Sequence, residues 1–268
     1  MKKLSILLVI ALLLLSFAAC AEKEEEDLAS IDNYMAASKE EKLENGTVKF
    51  TEGPGDTAII SDYVGIYTPH VESIPSTLPE AKRTVIAIGN EAFYYCTALT
   101  EVIIPETVTY IGDWAFAGCT ALEKIVIPAS VTSIGKGAFS GCTSLKTVVF
   151  EGNALTSLGD YAFIDCESLS EIALPEGLVN IGTETFRDCV SITALSTPST
   201  LKTVGDMAFY NCEGLNAKGA LTLSASIEEI GEFAFTGINK LYITAPADSY
   251  AAEYVNEMRD VEIETEAE

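Results

Sequence analysis

Seven cysteines and one histidine, His70, have the widest chemical repertoire in this 268-residue chain. Six of the cysteines recur at intervals of 23 or 24: Cys96, Cys119, Cys142, Cys166, Cys189 and Cys212. A thiolate can attack a substrate, bind a metal or form half of a disulfide, so the surroundings of these residues must decide their role. With a single histidine there is no His-rich metal site, and any Cys-His or Ser-His pair would depend on His70. His70 stands beside Pro69 in a predicted loop and reads as solvent-exposed. The segment "GPGDT" (53–57) lacks the rest of a phosphate loop. Asp and Glu total 40, but they fall at irregular positions, as on a solvated face. No catalytic constellation emerges, and no enzyme activity, cofactor or metal is expected.

The elements that must position the cysteines follow from internal repetition. Aligned on Phe93, Phe116, Phe139, Phe163, Phe186, Phe209 and Phe235, the chain gives copies such as "IGDWAFAGCTAL" and "IGKGAFSGCTSL", ending in the degenerate "IGEFAFTGINKL". The spacings are 23, 23, 24, 23, 23 and 26. The additional residues fall in "EGNAL" (151–155) and "NAKGA" (216–220), at joints between apolar frames. After each cysteine comes L-x-x-L-x-L, as in Leu122, Ile125 and Ile127, then often a proline, then V-x-x-I, as in Val131 and Ile134. The frame predicts a leucine-rich-repeat solenoid (α/β, mainly short parallel strands with short helical turns) of about seven 23-residue coils. A lone coil cannot bury its own faces, whereas stacking covers both and links the strands.

Within that stack the phenylalanines and the six cysteines are core. Ile238 takes the cysteine position in the last copy, which marks the position as apolar and inward. Equivalent rungs lie about 4.8 Å apart, beyond the roughly 3.8 Å mean Cβ separation of a disulfide. A straight column also cannot supply a tetrahedral metal site. The thiols are expected to be packing groups. Six unpaired thiols are unusual in an exported protein; deep burial and an anaerobic habitat would each account for them.

The "IG..AF..C..L..I.IP" wording resembles the BspA-like leucine-rich repeat subfamily of bacterial and protist surface proteins, over roughly residues 57–258. Members are described as adhesins that bind host matrix proteins or other bacteria, so the resemblance implies cell-surface protein binding.

The start of the chain, "MKKLSILLVIALLLLSFAAC", has a basic end, a short apolar run and small residues before Cys20, the pattern of a secretory signal peptide. The run is shorter than the roughly 20 residues a spanning helix needs. Ending the small-residue box in cysteine resembles the bacterial lipoprotein lipobox, with Phe17 a departure from the usual aliphatic. The resemblance implies lipidation of Cys20 and a bacterial lipoprotein held at the cell envelope. From Ala21 to Gly46 there are nine acidic residues against three lysines, which reads as a tether. The expected organisation is therefore a signal peptide (1–19), a lipidated acidic tether (20–46), an N-terminal cap leading into the first coil (47–89), repeats (90–243), and a C-terminal capping helix with an acidic tail (244–268). The helix is predicted from near Asp248, with Tyr250, Tyr254 and Val255 on its apolar face.

The net charge of −24 argues against nucleic acid as a partner. The exposed strand position forms a ladder of its own: Ile103, Val126, Val149, Ala173, Ser196 and Thr222, flanked by Glu101, Lys124, Thr147 and Glu171. Its first four members are apolar although the alternation of a strand aims them at solvent. Two readings stand: an interaction face, or β-branched residues chosen for strand propensity. The functional expectation is a non-enzymatic adhesion module using this face; the alternative is a structural envelope protein that self-associates.

Overall fold

Each repeat contributes two short strands and a tight turn, because its two apolar frames are separated by proline and by "IG" corners that cannot extend a strand. The computed structural model describes residues 38–44, 46–65, 67–257 and 261–266. Cys20 and the predicted signal peptide lie outside the described residues.

The described residues open with β1 (Lys39–Lys42), β2 (Gly46–Glu52) and β3 (Thr57–Gly65), paired antiparallel in sequence. β4 (His70–Ser73) and β5 (Thr84–Ile88) then start two parallel ladders. The L-x-L strands are β6 (Leu99–Ile103), β8 (Lys124–Ile127), β10 (Thr147–Phe150), β12 (Glu171–Ile172), β14 (Leu195–Ser196), β16 (Leu221–Thr222) and β18 (Leu241–Pro246). The V-x-x-I strands are β7 (Tyr110–Ile111), β9 (Ser133–Ile134), β11 (Ser157–Leu158), β13 (Asn180–Ile181), β15 (Thr203–Val204) and β17 (Glu229–Ile230). The second set joins the cap in one ten-stranded sheet. A helix, α1 (Tyr250–Glu257), and β19 (Val261–Glu266) close the far end, with β19 parallel to β18.

The architecture is a leucine-rich-repeat solenoid of about eight turns with little helix. Where short helical turns were expected, the segments after each "IG" are hydrogen-bonded turns with left-handed residues, such as Trp114 at φ 56° and Gly118 at φ 72°. Among the described residues, helix is confined to α1 and a 3-10 turn at Glu213–Leu215.

The core is a column between the two ladders. Phe93 to Phe235 are fully buried and stack ring on ring with centroids 4.9–5.4 Å apart and near-parallel planes. Tyr63 of β3 continues the stack at 4.8 Å from Phe93, and Tyr254 of α1 meets Phe235 edge-on. Offset rings at this spacing add to plain area burial.

Three expectations about the ends change. The acidic segment read as a tether through residue 46 supplies β1, and Glu41 is buried there, accepting the backbone N–H groups of Glu80 and Ala81. Those two bonds are why a carboxylate tolerates burial. His70 is buried at the start of β4 instead of exposed, because Tyr63 and the Thr68 carbonyl satisfy its ring. On α1 the buried face is Ala251 and Ala252, while Tyr250 is exposed. Small residues let the helix sit close on the last coil; Ser249 starts it, accepting the Ala252 N–H and donating to the Pro246 carbonyl.

Candidate interaction face

The exposed row of the L-x-L ladder begins with Ile103, half exposed, followed by Val126, Val149 and Ala173. Parallel register brings Val126 opposite Val149, and sets Glu101 beside Lys124, Lys124 beside Thr147, and Thr147 beside Glu171. Thr147 donates its hydroxyl proton to Glu171 at 3.2 Å, and Lys146 pairs with Glu123. Ser196 and Thr222 pair with each other and continue to Thr244. The expected unbroken row from 103 to 222 is interrupted: no strand pairing joins β12 to β14, and the L-x-L strands form two sheets.

The interruption has a cause one coil earlier. The additional residue in 151–155 leaves the V-x-x-I ladder intact, with Ser133 still opposite Ser157. It is accommodated in the loop after Phe150, which leans on the following coil at Gly177: a Cβ there would collide with the Asn153 carbonyl. The strand of that following coil is cut to Glu171–Ile172.

Three members of the face were not in the predicted set. Val71 and Ser73 of the cap pair with Glu101 and Ile103 and extend the face toward the N-terminus. The signal was present in "ESIP" (72–75), which matches "VIIP" (102–105). Thr244 extends the face at the other end.

Behind the face, the cysteines form a column beside the phenylalanines. All six are buried and none is in a disulfide. Each thiol from Cys119 onward donates to the carbonyl of the phenylalanine one coil back: Cys119 to Phe93, Cys142 to Phe116, Cys166 to Phe139, Cys189 to Phe163 and Cys212 to Phe186, at 3.1–3.2 Å. Burial pushes the Cys142 thiol up to about 12 and raises those of Cys166, Cys189 and Cys212. A thiol held protonated in a closed column is neither nucleophile nor metal ligand.

A second polar group sits in the cap. The Tyr63 hydroxyl donates to Glu72 at 2.6 Å and lies 3.0 Å from His70 Nε2, while Nδ1 of His70 meets the Thr68 carbonyl. All three side chains are buried. They tie β3 to β4 where the phenylalanine column ends, and this enclosure gives no substrate access. Among the described residues no group of three or more His, Cys, Asp or Glu side chains is arranged to hold a metal ion.

The family profile described as "BspA type Leucine rich repeat region" matches six copies over residues 86–216. The coils over residues 86–216 are BspA-type leucine-rich repeats. No curated protein matches the chain. Among solved structures, the T. pallidum leucine-rich repeat protein is 29% identical, with a TM-score of 0.68, over 84% of this chain and 98% of that one. A leucine-rich repeat protein from Eubacterium ventriosum is also 29% identical, with a TM-score of 0.57, over 72% of this chain and 50% of that one. This chain thus spans half the length of the Eubacterium protein. Leucine-rich repeats of the BspA type are a scaffold of the non-enzymatic kind, which agrees with a buried thiol column and an exposed sheet.

Proposed function

We propose that this BspA-type chain is a surface-displayed, lipid-anchored binding protein that docks another macromolecule, such as a host matrix or neighbouring-cell protein, on its exposed L-x-L face. The observation that carries the reading is the row of Ile103, Val126 and Val149, with Ile103 and Val149 exposed, Val126 partly so, and Val126 in register with Val149 on a parallel sheet. Strand propensity alone explains β-branched residues, but Thr or polar alternatives serve it equally, as Thr222 and Thr244 do in later rungs. A rigid row of this kind presents area without a large ordering cost. Cys20, behind a signal-like apolar run, would carry the anchor.

The test is saturable binding of the full chain, purified in mild detergent, to immobilised matrix glycoproteins and neighbouring-cell extracts. A Val126→Lys/Val149→Lys variant of unchanged far-UV spectrum is the comparison. Loss of binding in the variant is the expected result. Retention refutes the face, and concentration-dependent self-association with no binding replaces adhesion by a structural role. Cys20→Ala is expected to move the chain from the membrane to the soluble fraction.

A further inference from the structure

We infer that the split between β12 and β14 is a seat for an extended basic segment of a protein partner; this deepens the proposed binding role and rests on it. The split is lined on one side by Ile172, Ala173, Leu174 and Glu176 and on the other by Ala194–Pro198. A concavity of about 300 Å³ occupies it, and a second of about 350 Å³ lies beside it between β10 and β12. Both share Ile172 and Ala173.

Three features distinguish this place from the rest of the face. Ile172 is partly exposed, whereas Ile125, Val148 and Leu195 in the same inward position are buried. Phe150, also partly exposed, lines the adjoining concavity together with Ile172. Backbone groups are turned into the opening. Glu171 donates its N–H to Lys146 of the previous coil, while Leu195 and Thr197 donate to Ala220 and Thr222 of the next. By the alternation of a parallel strand, Ile172 from one side and Ala194 and Ser196 from the other direct their N–H and C=O groups at the split. No ladder joins these strands.

The charge of the lining selects the occupant. The split holds Glu176 and the adjoining concavity Glu171, and neither contains a lysine or arginine. Glu176 already accepts the Ser199 N–H and hydroxyl, and Glu171 accepts Thr147, so both are held in place with lone pairs to spare. An arginine or lysine on Glu176 and another on Glu171 in the adjoining concavity, an apolar side chain between them on Ile172, and an extended backbone facing the open groups satisfy the three features together. An anionic or wholly apolar segment leaves the carboxylates and the open backbone groups unanswered.

The test uses the full chain in mild detergent and a fluorescein-labelled hexapeptide of alternating leucine and arginine, followed by anisotropy. The glutamate counterpart of that peptide is the control. Binding of the arginine peptide is expected to weaken about tenfold in Glu171→Gln/Glu176→Gln, which keeps the acceptor that serves Ser199. Glu229→Gln, an exposed carboxylate on the V-x-x-I ladder, is expected to leave it within twofold. Equal binding of the glutamate peptide, affinity that survives Glu171→Gln/Glu176→Gln, or an equal loss in Glu229→Gln overturns the split as the seat. Absence of arginine-peptide binding also overturns it. In every case, the glycoprotein assay with Val126→Lys/Val149→Lys separately decides whether the face binds protein at all.

Discussion

Gly177 offers a direct test of why the ladder splits. In the other coils with a comparable joint, the equivalent residue is Thr107, Ser130, Thr200 or Ser226. Three of those hydroxyls donate to the preceding coil: Ser130 to Val108, Thr200 to Leu178 and Ser226 to Leu201. Gly177 alone has no side chain, and it alone follows the lengthened loop. A Cβ at Gly177 would lie 2.7 Å from the Asn153 carbonyl carbon, closer still to its oxygen, and 3.2 Å from the Leu155 oxygen, where ordinary contact begins near 3.4 Å. Its φ is not positive, so a side chain meets no conformational penalty there. On entropy alone, replacing glycine would stabilise by about 0.4–1 kcal/mol. The backbone collision opposes this at about 3 kcal/mol, the upper end of overpacking, because a carbonyl cannot rotate away as a side chain can. Gly177→Ser should therefore lose about 2–3 kcal/mol. Deleting Asn153 restores the 23-residue spacing and frees the Leu155 carbonyl to accept the new hydroxyl, for about 1 kcal/mol. The double change should match or exceed the parent, a coupling above about 2 kcal/mol. Urea midpoints followed by circular dichroism measure all four corners of the cycle. A Gly177→Ser variant as stable as the parent, or one that the deletion fails to rescue, refutes the steric origin of the split.

The thiol column makes stability fall in alkali. Burial raises the folded-state pKa of Cys142 from 9.0 to about 12 and moves those of Cys166, Cys189 and Cys212 the same way. The folded protein then holds more protons than the unfolded one above pH 9, so the stability from these groups is complete below pH 9 and declines as pH rises toward 12. Melting temperature against pH should fall over that window; a flat profile would contradict burial as the cause. At pH 8 about one Cys142 thiol in 10⁴ is ionised, so iodoacetamide should modify the cysteine column only after denaturation, as counted by intact mass. Glu41→Ala strands two backbone N–H groups in a buried site, at a cost of about 2–4 kcal/mol. A change below 0.5 kcal/mol would return β1 to the tether.

Periodicity made the coil legible because every coil repeats the same packing problem. The phenylalanine column, the inward cysteines and the outward row all follow from strand alternation and a 23-residue register. The lengthened loop was visible as an additional residue, but its effect was not. That effect passes through a backbone contact between Asn153 and Gly177 and appears as lost pairing between strands of two other segments. The cap was harder for a related reason. Tyr63 completes the phenylalanine stack from "SDYVG", which shares no wording with "IG..AF", and its hydroxyl then requires His70 and Glu72 as partners. A solitary histidine beside a proline carries no local sign of that burial.

The choice of cysteine over other small apolar residues has a physical reason in the geometry. Each phenylalanine carbonyl from Phe93 to Phe186 accepts the N–H of the cysteine three residues on, as Phe116 does from Cys119, and also faces the thiol of the next coil, as Phe116 does from Cys142. Alanine at that place would leave a void and a carbonyl with one partner fewer. Serine would supply the donor but brings a hydroxyl that is costlier to bury and fills less space. Cysteine fills the column and donates weakly, so the same side chain serves packing and backbone satisfaction in successive rungs. Ile238 breaks the series in the last copy, where the column ends and Tyr254 of α1 covers Phe235. The thiols are thus explained as packing groups, and the binding proposed for the chain is assigned to the L-x-L face.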